Sequence, residues 1–494
     1  MSGAARGGLE VGVTEDAGKT TTGAGAAFFS TLTDVGLTVN RVSVDWEPSA
    51  PLAIPAQAEI TRWLPQAQSG HTRVVFAVAP AEAHDLTAAA GDRTQFVAFV
   101  KKLAQTFPQV KDYVIGNEPN QPRFWQPQYS PQGKPLSAAQ YLPILAGSYD
   151  ALKSVDPSIT VIGVGLSPRG NDQPGAKSNV SRSPVRFLHD LGVAYRSTHR
   201  TLPIMDELAF HPYPARNDDA PETGYAWPNA GLPDLNRVKQ AFWDAFHGTA
   251  QPTFAEHGAT FTRPVRLDLD EVGWQVAPLP SLAPMYFGSE TPGLVPVSEQ
   301  TQADYYADTI RTAECDSSVR MLSFFHLVDE LDLDRWQSGL ERADGSHRPA
   351  YDSVKQTLAQ THGTCQGVKK KWGHTNTVVL PSAAWGKLSK PFPAKRKRWS
   401  FNVRAGEWAT YRAGIFKAGP SKGVLTRRLA RLRPKPLLLS TGTVKAKMRV
   451  VYFPQRKLKP GRYVYAIRLS ASMNPQRVST LVSRVFRVGK ARRR

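Results

Sequence analysis

The 494-residue sequence predicts an α/β chain in which a (β/α)8 TIM barrel over residues 9–366 precedes a small all-β sandwich over residues 381–494. Before residue 366, short apolar runs alternate eight times with longer segments of helical periodicity, a pattern typical of parallel strands joined by right-handed crossovers. After residue 381 the apolar runs are short and alternate with polar residues, which favours antiparallel strands. The net charge is about −11 over residues 1–366 and about +32 over residues 367–494, which indicates two separate units joined by a basic linker at 367–380.

The barrel strands are predicted from runs rich in β-branched and aliphatic residues. In chain order these runs cover residues 9–13, 38–44, 73–79, 113–117, 160–165, 205–210, 265–270 and 319–325. Eight strand–helix units are the number that closes a barrel. The competing open sheet would show a glycine-rich phosphate turn after an early strand, whereas Val13 is followed by Thr14, Glu15 and Asp16.

The helices are predicted from apolar residues spaced three and four positions apart. In chain order they cover residues 25–35, 55–68, 93–107, 137–155, 185–191, 234–246, 298–313 and 351–359. The first helix stops at Gly36, the second is entered through Pro55, and Asp156 before Pro157 ends the fourth. These signals place one helix after each strand, as a barrel requires.

Composition and cysteine content exclude several classes of protein. Hydrophobic residues make up 41% of the chain, so general disorder is excluded, and no apolar run of about 18 residues predicts a membrane span. Residues 1–8 are small and polar, show no signal-peptide pattern and are predicted to be disordered. Cys315 and Cys365 are predicted either to form a disulfide at the end of the first unit, in an oxidising compartment, or to be free thiols. No pair of residues has metal-ligand spacing, so neither a catalytic metal nor another cofactor is expected.

Polar residues follow the predicted strands at their carboxyl ends, where a barrel carries its chemistry. The second strand ends in Asp45-Trp46-Glu47, the fourth in Asn117-Glu118-Pro119-Asn120, the sixth in His211-Pro212-Tyr213, the seventh in Asp270-Glu271, and the eighth runs into His326. Glu118 and Glu271 directly follow apolar strands. The nearby aromatic residues, together with His326, are candidate substrate-binding residues: Trp46, Trp125, Tyr213 and Trp274. Two carboxyl groups beside aromatic rings are the groups that split a glycosidic bond, so Glu118 and Glu271 are the predicted catalytic pair.

Two stretches of the chain resemble a known group of enzymes. YVIGNEPN (113–120) and LDLDEVGW (267–274) are similar to the acid/base and nucleophile motifs of retaining glycoside hydrolases of the large (β/α)8 clan, which includes cellulase-type hydrolases, β-xylosidases and β-mannanases. The resemblance implies that Glu118 is the general acid/base, that Glu271 is the nucleophile and that Asn117 contacts the sugar 2-hydroxyl. It also implies that Arg41 keeps the nucleophile ionised, and that His211 and Tyr213 line the site beside it.

Several of these residues have structural alternatives. Arg41 could instead pair with Asp45 or Glu47, and the candidate substrate-binding residues Trp125 and Trp274 could belong to the core at the barrel rim. The clan commonly has a tryptophan at the end of the eighth strand, but this chain has Phe324-Phe325-His326 there and a tryptophan only later, at Trp336. The sequence therefore does not identify which residue forms the aromatic platform for the sugar.

The seventh strand has an unusual pattern for a buried strand. If Glu271 faces the barrel interior together with Leu267 and Leu269, then Asp268 and Asp270 face the helices, where they would need an arginine partner such as Arg266 or Arg263. The alternative is a bulge in this strand.

The basic second unit is predicted to contain strands at residues 399–403, 408–416, 445–452, 462–470 and 480–488, and it loosely resembles immunoglobulin-like modules. Its 33 lysines and arginines from residue 367 onward face a single acid, Glu407, and they cluster at 395–398 and 492–494. Such charge favours an anionic cell-surface polymer, an acidic polysaccharide or anionic lipid headgroups, whereas no nucleic-acid module is recognisable. The alternative is that the charge only keeps the protein soluble.

Taken together, these patterns predict a secreted or cell-surface retaining glycoside hydrolase that cleaves β-O-glycosidic bonds in a poly- or oligosaccharide substrate. Three alternatives remain open: a transglycosylase with the same two glutamates, a carbohydrate-binding barrel without activity, and a protein whose function lies in its polyanion-binding tail.

Overall fold

A computed structural model describes residues 8–19, 23–254, 264–378, 392–393, 395–431, 435–446 and 448–489. The chain divides into two compact units, Met1–Gly373 and His374–Arg494. Most of the terminus that was predicted to be disordered (1–7), the last two residues of the predicted linker (379–380) and the basic cluster at 492–494 lie outside the described residues.

The first unit contains a closed barrel of eight parallel strands that neighbour one another in sequence order. The strands are β1 (Glu10–Thr14), β2 (Val39–Trp46), β3 (Arg73–Pro80), β4 (Asp112–Ile115), β5 (Thr160–Leu166), β6 (Glu207–Phe210), β7 (Leu267–Val272) and β8 (Val319–Phe325). The sequence prediction of a (β/α)8 barrel is confirmed. The seventh strand differs most, because it extends two residues further than predicted and contains Glu271 instead of ending before it.

In the described part of the first unit, one α-helix follows each of the eight strands, and these helices cover the outside of the barrel. They are α1 (Ala26–Val35), α2 (Gln57–Ser69), α3 (Ala90–Thr106), α4 (Ser137–Val155), α5 (Pro184–Ser197), α6 (Leu235–Phe246), α7 (Glu299–Glu314) and α8 (Pro349–Thr361). The predicted helix at 185–191 was too short: α5 continues for six more residues, through Leu191 and the buried Tyr195.

The barrel interior has an apolar layer above a charged layer. Apolar side chains from six strands form the apolar layer: Val39, Val75, Ala77, Val114, Ile162, Ala209 and Met321. Below them Arg320 contacts the carboxylates of Asp112, Glu207 and Asp268, and Arg73 contacts Asp112 and Glu10. The pairs place opposite charges in contact, so the buried carboxylates are compensated.

A bulge in β7 settles where its acidic residues point. The register between β7 and β8 shifts twice, between Leu267 and Asp268 and again between Leu269 and Val272. Asp268 and Asp270 face the interior, where they contact Arg320 and Arg41, so alternation along the strand turns Leu267 and Leu269 toward the helices. Of the two alternatives that the sequence left open, the structure has the bulge, which allows Glu271 to reach the barrel mouth as well.

The described residues of the second unit form a two-stranded and a six-stranded sheet. Its strands are β9 (Phe392–Pro393), β10 (Ser400–Arg404), β11 (Ala409–Lys417), β12 (Leu438–Val444), β13 (Met448–Tyr452), β14 (Gly461–Ala471), β15 (Val478–Val482) and β16 (Phe486–Gly489). The smaller sheet pairs β10 with β13, the larger runs β12-β11-β14-β16-β9, and β15 also pairs with β14. Aromatic side chains fill the core, including Trp399, Tyr411, Tyr465 and Phe486.

The second unit also contains a helix that the sequence did not predict. α9 (Lys422–Arg431) buries Leu425 and Leu429 against Val464 and Ala466 of β14. With two buried apolar residues among ten, its helical periodicity is too weak to see in the sequence. The predicted β sheets of this unit are confirmed, and α9 is an addition to them.

The two cysteines close the end of the first unit. Cys315 follows α7, Cys365 follows α8, and the structure joins them in a disulfide. No helix in the described part of the chain is long and apolar enough to cross a membrane.

Candidate active site

Glu118 lies at the barrel mouth just beyond β4, in an unusual backbone conformation. Gly116 has φ 85° and Glu118 has φ 39°, both in the left-handed region. This region costs a non-glycine residue roughly 1–2 kcal/mol, and residues held there cluster at functional sites. The backbone N–H of Glu118 donates to the Gly165 carbonyl in β5 at 2.9 Å, which helps to hold the turn.

Glu271 reaches the same mouth from β7 and is held by two other strands. Its Oε1 lies 2.8 Å from Nη1 of Arg41, which projects from β2. Its Oε2 accepts a hydrogen bond of 3.1 Å from the hydroxyl of Tyr213, just beyond β6. Arg41 also donates from Nη2 to the side-chain oxygen of Asn117 at 3.1 Å. The alternative pairing of Arg41 with Asp45 or Glu47 is not the one present.

One nitrogen of His211 contacts both glutamates. Nδ1 of His211 lies 2.9 Å from Oε1 of Glu118 and 3.4 Å from Oε2 of Glu271. The separation of these two carboxylate oxygens therefore cannot exceed the sum of the two distances. The side chain of Glu118 is 13% exposed and that of Glu271 is 9% exposed, so solvent reaches both carboxylates.

Asp270 lies beneath this pair and is fully buried. Its Oδ2 is 2.9 Å from Nε of Arg41, and its Oδ1 is 3.3 Å from Nε2 of His211. Arg41 and His211 therefore each contact Asp270 on one side and Glu271 on the other. The Thr14 hydroxyl of β1 donates to the backbone carbonyl of Asp270 and ties this part of β7 to a strand outside the cluster.

These contacts decide which groups carry charge. Burial alone lowers the pKa of His211, but the negative charges of Glu271 and Asp270 and hydrogen bonds to Asp270 and Glu118 outweigh it and raise that pKa to about 10. Burial raises the pKa of Asp270, but the charges of His211 and Arg41 outweigh it and hold the pKa below its usual value. The site therefore holds an imidazolium and a guanidinium among carboxylates at neutral pH.

Tyr213 has the opposite shift, because its neutral form is favoured. Burial and the negative charges of Glu271 and Glu118 raise the pKa of Tyr213 well above its ordinary value. The hydroxyl therefore stays protonated and can donate to Glu271.

An aromatic wall stands beside the two glutamates. The ring of Tyr213 lies 4.7 Å from that of Trp336, centroid to centroid, and Phe325 lies 5.5 Å from Trp336 and 6.1 Å from Tyr213. All three side chains are half-buried. Trp336 belongs to the loop after β8 and packs against Phe325, the last residue of that strand. The wall therefore contains a tryptophan although β8 does not end in one.

No protein-family model matches the chain, and no curated protein matches it. Solved structures do resemble it. A family 39 glycoside hydrolase from the gut symbiont Bacteroides cellulosilyticus WH2 is 14% identical, with a TM-score of 0.50 over 91% of this chain and 81% of that one. GH5_18 from Streptomyces cattleya is 15% identical (TM-score 0.47, 77% and 86% covered), and a glucosidase from Croceicoccus marinus is 13% identical (TM-score 0.46, 91% and 93% covered). At 14% identity, the likeness to the family 39 structure confirms the barrel fold, and it assigns neither an activity nor a substrate to this chain.

Three tryptophans that were predicted to bind substrate lie elsewhere. Trp46 is fully buried and packs edge-on against Phe96 of α3. Trp125 packs against Tyr141 of α4, and Trp274 donates from its indole N–H to the Asp219 carbonyl at 2.8 Å. All three are at most 2% exposed, so they support the barrel rim instead of offering a ring face at the mouth.

His326, the remaining candidate, forms a separate cluster at the end of β8. Its Nδ1 is 3.6 Å from Glu15 and its Nε2 is 3.4 Å from Glu330. Burial lowers the pKa of His326, but hydrogen bonds to Glu15 and Glu330 and their charges outweigh it and raise the pKa to about 10. Glu15 also accepts from the backbone N–H groups of Leu327 and Val328, so this cluster holds the loop that follows β8.

Sequence reasoning missed Asp270 as a member of the site and did not select Glu15. Two aspartates in an otherwise apolar strand were a visible signal, because a buried strand carries a charge only where a partner compensates it. Glu15 follows β1 in the same way that Glu118 follows β4, but no motif marked it.

Proposed function

We propose that this protein is a retaining glycoside hydrolase that cleaves β-O-glycosidic bonds in a poly- or oligosaccharide. The observation that carries this proposal is that one nitrogen of His211 contacts both Glu118 and Glu271, so two carboxyl groups from distant parts of the chain meet at the barrel mouth. The fold likeness to a structure described as a family 39 glycoside hydrolase supports the same reading.

In the first step, Glu271 attacks the anomeric carbon while protonated Glu118 gives its proton to the departing glycosidic oxygen. The bond from carbon to that oxygen breaks, and an ester between the sugar and Glu271 forms. Arg41 and the Tyr213 hydroxyl hold the attacking carboxylate in place. Asn117, oriented by Arg41, is the amide assigned to the sugar 2-hydroxyl.

In the second step, Glu118 is a carboxylate and takes a proton from water as the water oxygen attacks the same carbon. The ester bond breaks, Glu271 leaves as a carboxylate, and Glu118 ends protonated as it began. The two inversions return the original configuration, and the net reaction consumes one water.

The spacing of the carboxylates favours retention over inversion. An inverting enzyme leaves room for a water between its carboxyl groups, which lie about 6.5–9.5 Å apart, whereas a retaining pair lies about 5–5.5 Å apart. The facing oxygens of Glu118 and Glu271 are limited by contacts of 2.9 and 3.4 Å to one shared nitrogen. This upper limit lies below the range of inverting enzymes and so supports the retaining assignment.

The stereochemistry of the product tests the proposal. We expect the wild-type protein to hydrolyse at least one member of a panel of aryl β-glycosides and β-linked oligosaccharides, and proton NMR to show the β-anomer first. An α-anomer first would contradict the retaining mechanism. Binding of glycans without turnover across the panel would favour the inactive carbohydrate-binding barrel, and transfer to added sugar acceptors in place of water would favour the transglycosylase.

For the second unit we propose binding to an acidic polysaccharide at the cell surface. Lys395, Lys397 and Arg398 are exposed, and the segment 395–398 lines, with Gln455, an open depression of about 600 Å³. The guanidinium of Arg396 is held over Phe392 and Trp399. Because Glu407, the one acid from residue 367 onward, is paired with Arg477, no carboxylate of this unit is left to neutralise the cluster.

Salt dependence tests this second proposal. Retention of the full chain on immobilised polygalacturonate is expected to fall steeply between about 0.05 and 0.5 M NaCl, because the Debye length shrinks over that range. Neutralising Lys395, Lys397 and Arg398 with glutamine should weaken binding roughly 10- to 100-fold. The matched control neutralises Lys422, Arg427 and Arg428 of α9 and should weaken it much less. Retention that does not change with NaCl concentration, or an equal loss of binding in the two variants, would show that this cluster is not the binding site.

We also propose that the protein works outside the cytosol, at the cell surface or as a secreted protein. The disulfide between Cys315 and Cys365 supports this, because structural disulfides persist in oxidising compartments.

A further inference from the structure

Asp270 has no part in the two steps of the proposed mechanism, yet it lies directly below both catalytic groups. It is fully buried, and a buried carboxylate is costly unless charged or hydrogen-bonding partners compensate it. Its side-chain partners are Arg41 at 2.9 Å and His211 at 3.3 Å. Each of these partners goes on to contact Glu271, and His211 also contacts Glu118.

Asp268 shows what a purely structural aspartate of the same strand does. It lies two residues earlier, faces the same interior and is equally buried. Its partner Arg320 contacts Asp112 and Glu207, far down the barrel, and no catalytic residue. The two aspartates therefore share strand, face and burial, and they differ in what their partners touch.

We propose that Asp270 is a positioning residue that keeps His211 as an imidazolium with its Nδ1–H directed at both catalytic carboxylates, and that keeps Arg41 against Glu271. This proposal rests on the proposed hydrolase function. A carboxylate close to Nε2 favours the imidazolium, in which both ring nitrogens carry a proton, so Nδ1 remains a donor through both steps, whichever glutamate carries the negative charge at that moment. Asp270 would thereby serve Glu118 and Glu271 at once without touching the substrate.

The surroundings of His211 support an imidazolium. Asp270 and Glu271 face it from β7, Glu118 faces it from the turn after β4, and Tyr213 lies edge-on at a centroid distance of 6.4 Å. From β2, Arg41 approaches the same carboxylates. From β5 the neighbour is Gly165, where an added Cβ would lie 3.2 Å from Nε2, so a side chain at this position would press on the ring.

The test compares Asp270→Asn with Asp268→Asn in the full chain. The first readout is NMR titration of the His211 imidazole, assigned by the signal that disappears in His211→Gln, and it requires no turnover. In the wild type we expect a midpoint near pH 10. In Asp270→Asn the midpoint should fall by at least about one pH unit, because one negative charge and one hydrogen-bond partner are lost. Asp268→Asn should keep the wild-type midpoint, whatever its effect on stability.

The second readout is the pH dependence of kcat/KM on a glycoside that the wild type cleaves. The alkaline limb should move to lower pH in Asp270→Asn, because the negative charge behind His211, which contacts Glu118, is lost, and it should stay in place in Asp268→Asn. A purely structural role for Asp270 would lower stability in both variants and move neither limb nor midpoint, and that result would overturn the proposal. If Asp270→Asn does not fold, a wild-type His211 midpoint near the ordinary 6.5 would overturn it equally.

The experiments distinguish failure of the proposed hydrolase function from failure of the proposed role of Asp270. A shifted midpoint in Asp270→Asn without any wild-type turnover would refute the hydrolase and leave the link between Asp270 and His211 intact. Wild-type turnover with an unshifted His211 midpoint in Asp270→Asn would refute the role of Asp270 and leave the hydrolase function intact.

Discussion

Replacing Glu271 with glycine is expected to lower kcat on an aryl β-glycoside on the order of 10⁴- to 10⁶-fold, the range typical of a removed nucleophile. Under the proposed mechanism no glycosyl ester can form without this carboxylate, although Glu118, the proposed proton donor, remains. Sodium azide should restore part of the rate, because a small anion can occupy the space of the missing carboxylate. The measurement is release of the aryl alcohol with and without azide.

The configuration of the azide product separates the two glutamates. In Glu271→Gly, azide replaces the nucleophile and attacks from the face opposite the leaving group, so an α-glycosyl azide should form. In Glu118→Gly the ester on Glu271 still forms with an activated leaving group, and azide then attacks it from the other side to give the β-glycosyl azide. Glu47, which is exposed at the end of β2, provides the control, and Glu47→Gly should retain the wild-type rate. Azide products of the same configuration from both variants would mean that the two roles are wrongly assigned.

Replacing Arg320 with methionine is expected to destabilise the barrel by about 3–5 kcal/mol. Arg320 lies deep in the barrel and compensates Asp112, Glu207 and Asp268 together. Without it the three buried carboxylates lose the charge that they share. Arg73 still contacts Asp112, and Arg266 acts on Glu207 and Asp268 only through its charge. Urea unfolding of the full chain, followed by circular dichroism, measures the loss.

Two further substitutions make that result specific. Arg62→Met removes an exposed ion pair with Glu59 on α2 and should change the free energy of unfolding by less than about 1 kcal/mol. Arg320→Lys keeps one positive charge but cannot reach three carboxylates with a planar fork, so it should fall between wild type and Arg320→Met. A loss below about 1 kcal/mol for Arg320→Met would show that the charged layer does not stabilise the barrel.

Much of the first unit was predictable from local patterns. Each strand–helix unit has its own apolar period and its own stop signal, such as Gly36 after α1, and these signals act over a few residues. The second unit was less predictable, because α9 has only Leu425 and Leu429 to mark its buried face. Short strands there are set by pairing with distant partners, as the split of residues 480–488 between β15 and β16 shows.

By itself, the sequence determined the barrel, the charge division of the chain and the two glutamates, because strand number, composition and the residues that follow each strand are all local properties. Only the tertiary structure decided which neighbours those glutamates have. Asp270 faces the barrel interior and the bulge in β7 brings Glu271 to the mouth, Trp46 and Trp274 are buried at the rim, and Trp336 packs against Tyr213. The physical reason is that a side chain's partners depend on strand register and on packing between distant segments, and no run of neighbouring residues encodes either of them.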